Sequence, residues 1–369
     1  MRLVLSGGGT GGHVYPALTV ADAVREQLPT GEALDLLYVG TLAGNESQIV
    51  ERAAVPFRDV SAAPIRGRLP WQMAANAAKI AAGARQARKI LGDFAPQVVL
   101  STGGYASIPV ALAARGKKIP LAVYLPDLSP GWAVRAIAKL AQRVAATAVE
   151  SLRRLPSDKT IVTGYPVRRE FYQVDRSGGR ERLGLSPEEK VLFVSGGSTG
   201  AQRINRAVAA EISGLLELCE VVHVSGPGDE AWLTEIKDGL PDGLRRRYHL
   251  HGYMHDEMPW AMAAADLAVC RSGASVIGEL PALGLPAVLV PLPLAGAHQR
   301  TNARYLEKHG AATILEEESL DDVLPVVGSL LHDEERLREM RDASRRLARP
   351  NAAARIANII MELAKEPAR

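Results

Sequence analysis

Two glycine runs carry the clearest chemistry in this chain. The first is Gly7-Gly-Gly-Thr-Gly-Gly-His13, and the second is Gly196-Gly-Ser-Thr-Gly-Ala201. Glycine lets backbone approach a ligand closely, and a following helix presents free N–H groups and positive dipole charge. Each run is therefore a candidate cradle for phosphate or a phosphate-like anion. His13 stands at the mouth of the first run. An imidazole titrates near neutral pH, which suits it to take a proton.

The flanking residues say what must position these loops. Met1-Arg-Leu-Val-Leu-Ser6 and Lys190-Val-Leu-Phe-Val-Ser195 are strand-like runs feeding the glycines. Further short apolar runs alternate with helical patterns through both halves. Strands are expected at 3–6, 36–39, 57–60, 98–101, 121–124 and 144–147, then at 191–195, 221–225, 248–251, 267–270, 287–291 and 312–315. Such runs, separated by helices, predict parallel sheets covered on both faces. A length of 369 residues suits two domains. The expected boundaries are 1–164, 165–340 and a helical tail at 341–369 packing back on the first domain. Ligands of doubly wound sheets bind at the carboxyl ends of the strands, so the cleft between the domains is the expected site.

Composition narrows the classes. The net charge of +3 names no partner. Cys219 and Cys270 lie far apart in apolar runs, which predicts buried thiols rather than a disulfide framework or metal site, and fits a reducing cytoplasm. No leader is expected ahead of the glycines, and no apolar stretch is long enough to span a bilayer. A dinucleotide-binding dehydrogenase needs an acid after the second strand. The sequence there is Tyr38-Val-Gly-Thr41, with none.

Six motifs stand in order: Gly8-Gly-Thr-Gly-Gly-His13, Gly103-Gly-Tyr-Ala-Ser-Ile-Pro109, Gly164-Tyr-Pro-Val-Arg168, Gly196-Gly-Ser-Thr-Gly-Ala201, Cys270-Arg-Ser-Gly-Ala274 with Glu279, and His298-Gln299 with Asn302. Together they resemble the MurG family of peripheral membrane glycosyltransferases, which add N-acetylglucosamine to lipid I to make lipid II for peptidoglycan. The resemblance covers nearly the whole chain. It implies the α/β GT-B fold, two Rossmann-like domains facing a deep cleft. It also implies an inverting hexosyltransferase that uses UDP-N-acetylglucosamine as substrate, with no cofactor and no metal. Asp321-Asp322 falls in a helical stretch and makes no convincing metal-binding loop.

The resemblance also assigns roles. Arg168 and Ser198 contact the diphosphate, and Glu279 accepts from the ribose hydroxyls. His298 and Gln299 face the sugar, and Ala274 and Ser275 bring backbone near the donor. Tyr253 and Met254 frame the uracil. Thr10, Gly11 and Gly12 also line the donor. Thr10, His13 and Tyr105 hold the acceptor, and His13 is the first candidate for general base. One motif departs from the family. Where it carries His-Glu-Gln-Asn, this chain has Tyr124-Leu125-Pro126-Asp127. Leucine can neither hold an acceptor hydroxyl nor move a proton, so Asp127 becomes the second candidate for both tasks.

A lipid-linked acceptor calls for membrane contact without a spanning helix. From Pro64 to Leu91 the chain has Arg66, Arg68, Lys79, Arg85, Arg88 and Lys89, with Trp71 and no acidic residue. Tryptophan suits the headgroup level, and basic residues suit an anionic leaflet. This predicts peripheral binding at the cytoplasmic face of the bacterial membrane, alongside cell-wall synthesis proteins. The alternative is an ordinary surface helix with Ile80 and Leu91 facing the core. No aromatic stacking platform supports nucleic-acid binding. Two rival functions stay open: a GT-B transferase with another lipid or small-molecule acceptor, and a non-catalytic nucleotide-sugar-binding homologue.

Overall fold

The computed structural model describes residues 1–8, 11–42, 46–64, 70–197, 200–293 and 298–365. The chain divides into two compact units. The first comprises Met1–Arg168 and Arg349–Arg369, and the second Arg169–Ala348.

The first unit is built on seven strands: β1 (Arg2–Gly7), β2 (Asp35–Gly40), β3 (Phe57–Asp59), β4 (Val98–Gly103), β5 (Leu121–Leu125), β6 (Arg143–Ala146) and β7 (Thr160–Val162). All pairings are parallel, in the order β3-β2-β1-β4-β5-β6-β7. β1 is an interior strand, with Leu3 paired to Leu36 on one side and Val98 on the other. Its residues are apolar on both faces, so both faces need cover. On one, Val4, Val99 and Val123 pack with Ile80, Ala87 and Leu91 of helix Pro70–Phe94 and with Ile137. Leu3, Leu5 and Leu100 alternate to the other face. Helices Gly11–Gln27 and Ala352–Lys365 pack together and against β4.

The second unit repeats the plan with β8 (Val191–Ser195), β9 (Glu220–Val224), β10 (Tyr248–His251), β11 (Leu267–Arg271), β12 (Ala287–Val290) and β13 (Ala312–Ile314). The order is β10-β9-β8-β11-β12-β13, again parallel. Strand order therefore reverses direction between β1 and β4 in one sheet and between β8 and β11 in the other. Loops leaving these strand pairs flank the natural binding crevice of a doubly wound sheet.

The expected boundaries shift. The chain passes from one unit to the other at Arg168, not after Gly164, and Arg168 stacks on Tyr15 of the first unit. The helical tail is two helices that belong to different units. Helix Glu334–Leu347 puts Leu337 and Met340 into the second core, and helix Ala352–Lys365 belongs to the first unit. Arg349-Pro350 separates them, because the residue before proline is pushed out of the helical region. Both cysteines are buried and free, and burial pushes each thiol up to about 12.

Candidate functional site

The structure gathers the candidate residues into two sets, one at the carboxyl edge of each sheet. In the first unit, the end of β4 and the start of helix Gly11–Gln27 are bonded to each other. His13 Nδ1 lies 2.7 Å from the Thr102 carbonyl oxygen, and Thr102 Oγ1 donates to the His13 carbonyl at 2.8 Å. A carbonyl only accepts, so Nδ1 carries the proton. The neutral ring then keeps its lone pair on Nε2, the form a general base needs. Close backbone contact holds the loops after β1 and β4. Gly104 has φ +80°, and a Cβ there would stand 2.5 Å from the Gly8 carbonyl oxygen. No other residue type fits that approach.

Gly11 and Gly12 open helix Gly11–Gln27, so their backbone belongs to the first helical turn beside His13. Tyr105 is half-buried in the turn before helix Ser107–Gly116. Asp127 is half-buried just past β5. Leu125, by contrast, is 1% exposed and belongs to the apolar core, so its side chain plays no part at the sheet edge. The Arg168 guanidinium lies 4.8 Å over the Tyr15 ring, a cation–π contact that sets it beside the helix carrying His13. Thr10 lies outside the described residues, as do Ser198 and the segment containing Arg66 and Arg68.

In the second unit, β8 runs into Gly196 and Gly197, and Gly200-Ala201 leads into helix Gln202–Ala210. Its N-cap residue is Ala201, and among the described residues no side chain caps it. The first N–H groups of a helix suit an acceptor such as a diphosphate oxygen. Gly200 has φ +75°, and a Cβ there would meet the Ser225 carbonyl oxygen at 2.5 Å. The glycine loop therefore rests directly on the end of β9.

A buried network that the sequence did not disclose fixes this contact. Asn205 Nδ2 donates to the Ser225 carbonyl and to Asp229 Oδ2, both at 2.7 Å. Its Oδ1 must then accept, from His223 Nε2 at 3.0 Å, which leaves His223 Nδ1 to accept from the Tyr248 hydroxyl at 2.8 Å. Burial pushes His223 down to about 3, so it stays a neutral link. The Asn205, Trp232 and Gln202 donors outweigh burial and hold the Asp229 carboxyl below its ordinary range. A second clamp joins the helix after β8 to the end of β11. Buried Glu317 pairs with Arg271, and with Arg203 at 3.1 Å. These partners lie far apart in sequence, so no local pattern announces them.

The remaining candidates follow β10, β11 and β12. Met254 is buried, and Tyr253 is half-exposed against His255, ring centroids 4.3 Å apart. Ala274 is buried, while Ser275 and Glu279 are half-buried at the start of helix Val276–Leu283. Asn302 Nδ2 donates to the Ser272 carbonyl at 3.1 Å, tying helix His298–Lys308 to that loop. His298 opens the helix, and Gln299 Oε1 accepts from the Leu292 N–H at 3.0 Å. Among the described residues, no group of three or more His, Cys, Asp or Glu side chains is arranged to hold a metal ion.

Comparison with known proteins fits this arrangement. The glycosyltransferase family 28 N-terminal domain matches residues 3–146, and the family 28 C-terminal domain matches residues 191–356. A relative from Roseiflexus sp. (strain RS-1) is 40% identical over 98% of this chain and 95% of its own. One from Bacillus subtilis (strain 168) is 34% identical over 99% of this chain and 100% of its own. Both are named UDP-N-acetylglucosamine–N-acetylmuramyl-(pentapeptide) pyrophosphoryl-undecaprenol N-acetylglucosamine transferase. The crystal structure of Acinetobacter baumannii MurG is similar with a TM-score of 0.75 at 25% identity, covering 98% of this chain and 99% of that one. A UDP-GlcNAc 2-epimerase from Neisseria meningitidis shares the fold at a TM-score of 0.66 and 16% identity, covering 98% of this chain and 100% of its own.

Two Rossmann-like parallel-sheet domains that match the two halves of family 28 define a glycosyltransferase. With full-length relatives at 34–40% identity, the chain belongs to the MurG family of N-acetylglucosamine transferases.

Proposed function

We propose that the protein transfers N-acetylglucosamine from UDP-N-acetylglucosamine to the muramoyl 4-hydroxyl of lipid I, with inversion, giving lipid II. The observation that carries this reading is similarity running through both units to relatives named for that transfer. The first unit takes the acceptor, with His13 as base. His13 Nε2 accepts the hydroxyl proton while the oxygen attacks the anomeric carbon. The carbon–oxygen bond to UDP breaks, and its electron pair leaves with the diphosphate. The start of helix Gln202–Ala210 supplies positive partial charge to the departing diphosphate. The transfer needs no metal in this reading. Incubation with labelled UDP-N-acetylglucosamine and lipid I should yield labelled lipid II. Hydrolysis of the donor with no lipid product would reject the acceptor assignment.

Glu279 is the ribose contact in this scheme. Its position at the start of helix Val276–Leu283, after the Arg271–Ser275 loop, supports that role. Glu279→Ala should weaken UDP-N-acetylglucosamine binding by about 1.5–3 kcal/mol, the range for hydrogen bonds to a charged group. Calorimetry on a folded variant with unchanged affinity would remove Glu279 from the donor site.

Membrane contact belongs to helix Pro70–Phe94 and its neighbours. Ile80, Ala87 and Leu91 face the core, so the core-facing alternative holds for that part of the helix. Its first turn behaves differently: Trp71 is 67% exposed and Met73 42%. Leu112 and Trp132, on the following helices, are also exposed. Lys79, Arg85, Arg88 and Lys89 are exposed along the same helix. No described helix is long and apolar enough to cross a membrane. We place the protein at the cytoplasmic face of the bacterial membrane, bound to anionic lipid by these residues. Replacing Arg66, Arg68, Arg85 and Arg88 by Gln should cost roughly 4 kcal/mol of vesicle binding, at about 1 kcal/mol per basic residue. UDP affinity should persist. Co-sedimentation that ignores both the substitutions and added salt would make this a plain surface helix.

A further inference from the structure

The second unit contains a cavity that no step of the proposed transfer uses. Its volume is about 310 Å³, and its lining includes Ala265 and Leu285, just ahead of β11 and β12. It therefore lies at the amino edge of the sheet, away from the glycine loop. Buried Phe171, Met262 and Leu285 give it an apolar wall, and Arg176, Arg341 and Arg345 give it a cationic one.

The charges there do not balance. Asp266, buried behind the wall, holds Arg176 at 2.7 Å, Arg180 at 2.9 Å and Arg341 at 3.6 Å. Arg180 is fully engaged, because it also donates to the carbonyls of Ala264, Ser186 and Pro187. Arg345 lies across Gly284, where an added Cβ would meet its Cγ at 2.6 Å. Asp175, the carboxylate that does line the cavity, accepts from the Gly178 N–H and caps helix Arg176–Leu183. Three guanidiniums, Arg176, Arg341 and Arg345, thus line the cavity with one carboxylate, Asp175, and the Asp266 behind them is already shared with Arg180. The carbonyl end of helix Val276–Leu283 adds little negative charge, since the Gly284 and Leu285 N–H groups close it. Arg341 and Arg345 stand one helical turn apart on helix Glu334–Leu347 and can grip the same oxyanion.

We propose that this cavity binds a small organic anion, with a phosphate or carboxylate head on the arginines and an apolar or aromatic body against Phe171 and Met262. The test uses the full chain with saturating UDP, so that phosphate binding at the donor loop is blocked. Phenyl phosphate, benzoate and uncharged phenol are titrated by calorimetry. One anion should bind at a single site with a Kd on the order of 1 mM or tighter, and the tighter of the two identifies the head group. Arg341→Gln with Arg345→Gln should weaken it roughly tenfold or more, with UDP affinity unchanged as the check on folding. The exposed single variant Arg345→Gln serves if the pair disturbs the fold. No saturable binding by either anion, equal binding by phenol, or variants that bind as well as the wild type would overturn the proposal.

Discussion

His13→Ala is expected to lower the rate of transfer by about 10²–10⁴-fold, the usual cost of losing a general base. The reason is the tether to Thr102: the 2.7 Å contact to a carbonyl oxygen fixes the proton on Nδ1 and leaves Nε2 basic. Asp127→Asn should keep most of the activity, because an amide keeps the shape and hydrogen-bonding capacity while losing only the charge. If Asp127 has taken the proton-transfer role, the order of the two variants reverses. UDP affinity measured beside the rate separates a chemical role from a binding one. Near-wild-type transfer by both would eliminate both candidates.

The largest stability loss is expected from Asp266→Ala. The Asp266 carboxylate is buried and accepts from the Val191 N–H at 3.0 Å as well as from its arginines. The Arg180 side chain is only 4% exposed. Removing the carboxylate leaves a guanidinium in the interior with carbonyl partners but without its bonded counter-charge. Breaking a buried pair in this way costs about 3–5 kcal/mol. Urea unfolding should show the loss directly. A change below about 1 kcal/mol, the scale of a surface pair, would mean that the carbonyls of Ala264, Ser186 and Pro187 hold Arg180 without help.

The sheets were legible because their strands are apolar on both faces and punctuated by glycine and proline, and strand β8 (Val191–Ser195) matches its expected limits. What escaped was short or polar. β7 (Thr160–Val162) is an edge strand of three residues, too brief to show a pattern. Helix Arg176–Leu183 is rich in charge and buries only Gly179 and Arg180, so it has no apolar stripe. Its signals were the Asp175 cap and the left-handed Gly184 that ends it. The helical stretch after the second glycine run is also not continuous, because it breaks at Glu211 into Gln202–Ala210 and Ile212–Leu218. At the site, the glycine loops could be read because close approach demands glycine. The clamps could not, since His223, Asn205 and Tyr248 meet only after the sheet has formed. Leu125 is the instructive case. Sequence shows a lost carboxylate, and the structure shows that position absorbed into the apolar core.

Helix Ala352–Lys365 has a consequence for synthesis. It packs on helix Gly11–Gln27, and Gln27 Nε2 donates to the Ala354 carbonyl at 3.3 Å. The second unit is thus an insertion within the first, lying between Arg168 and Arg349. During translation the strands of the first unit emerge early, but one helix of its cover arrives only after the whole insert has been made. The apolar side of helix Gly11–Gln27 must wait through that interval, in reach of chaperones and other nascent chains. The unit that begins first is therefore the one that closes last, and the helix bearing His13 is locked in place by residues made more than 300 positions later.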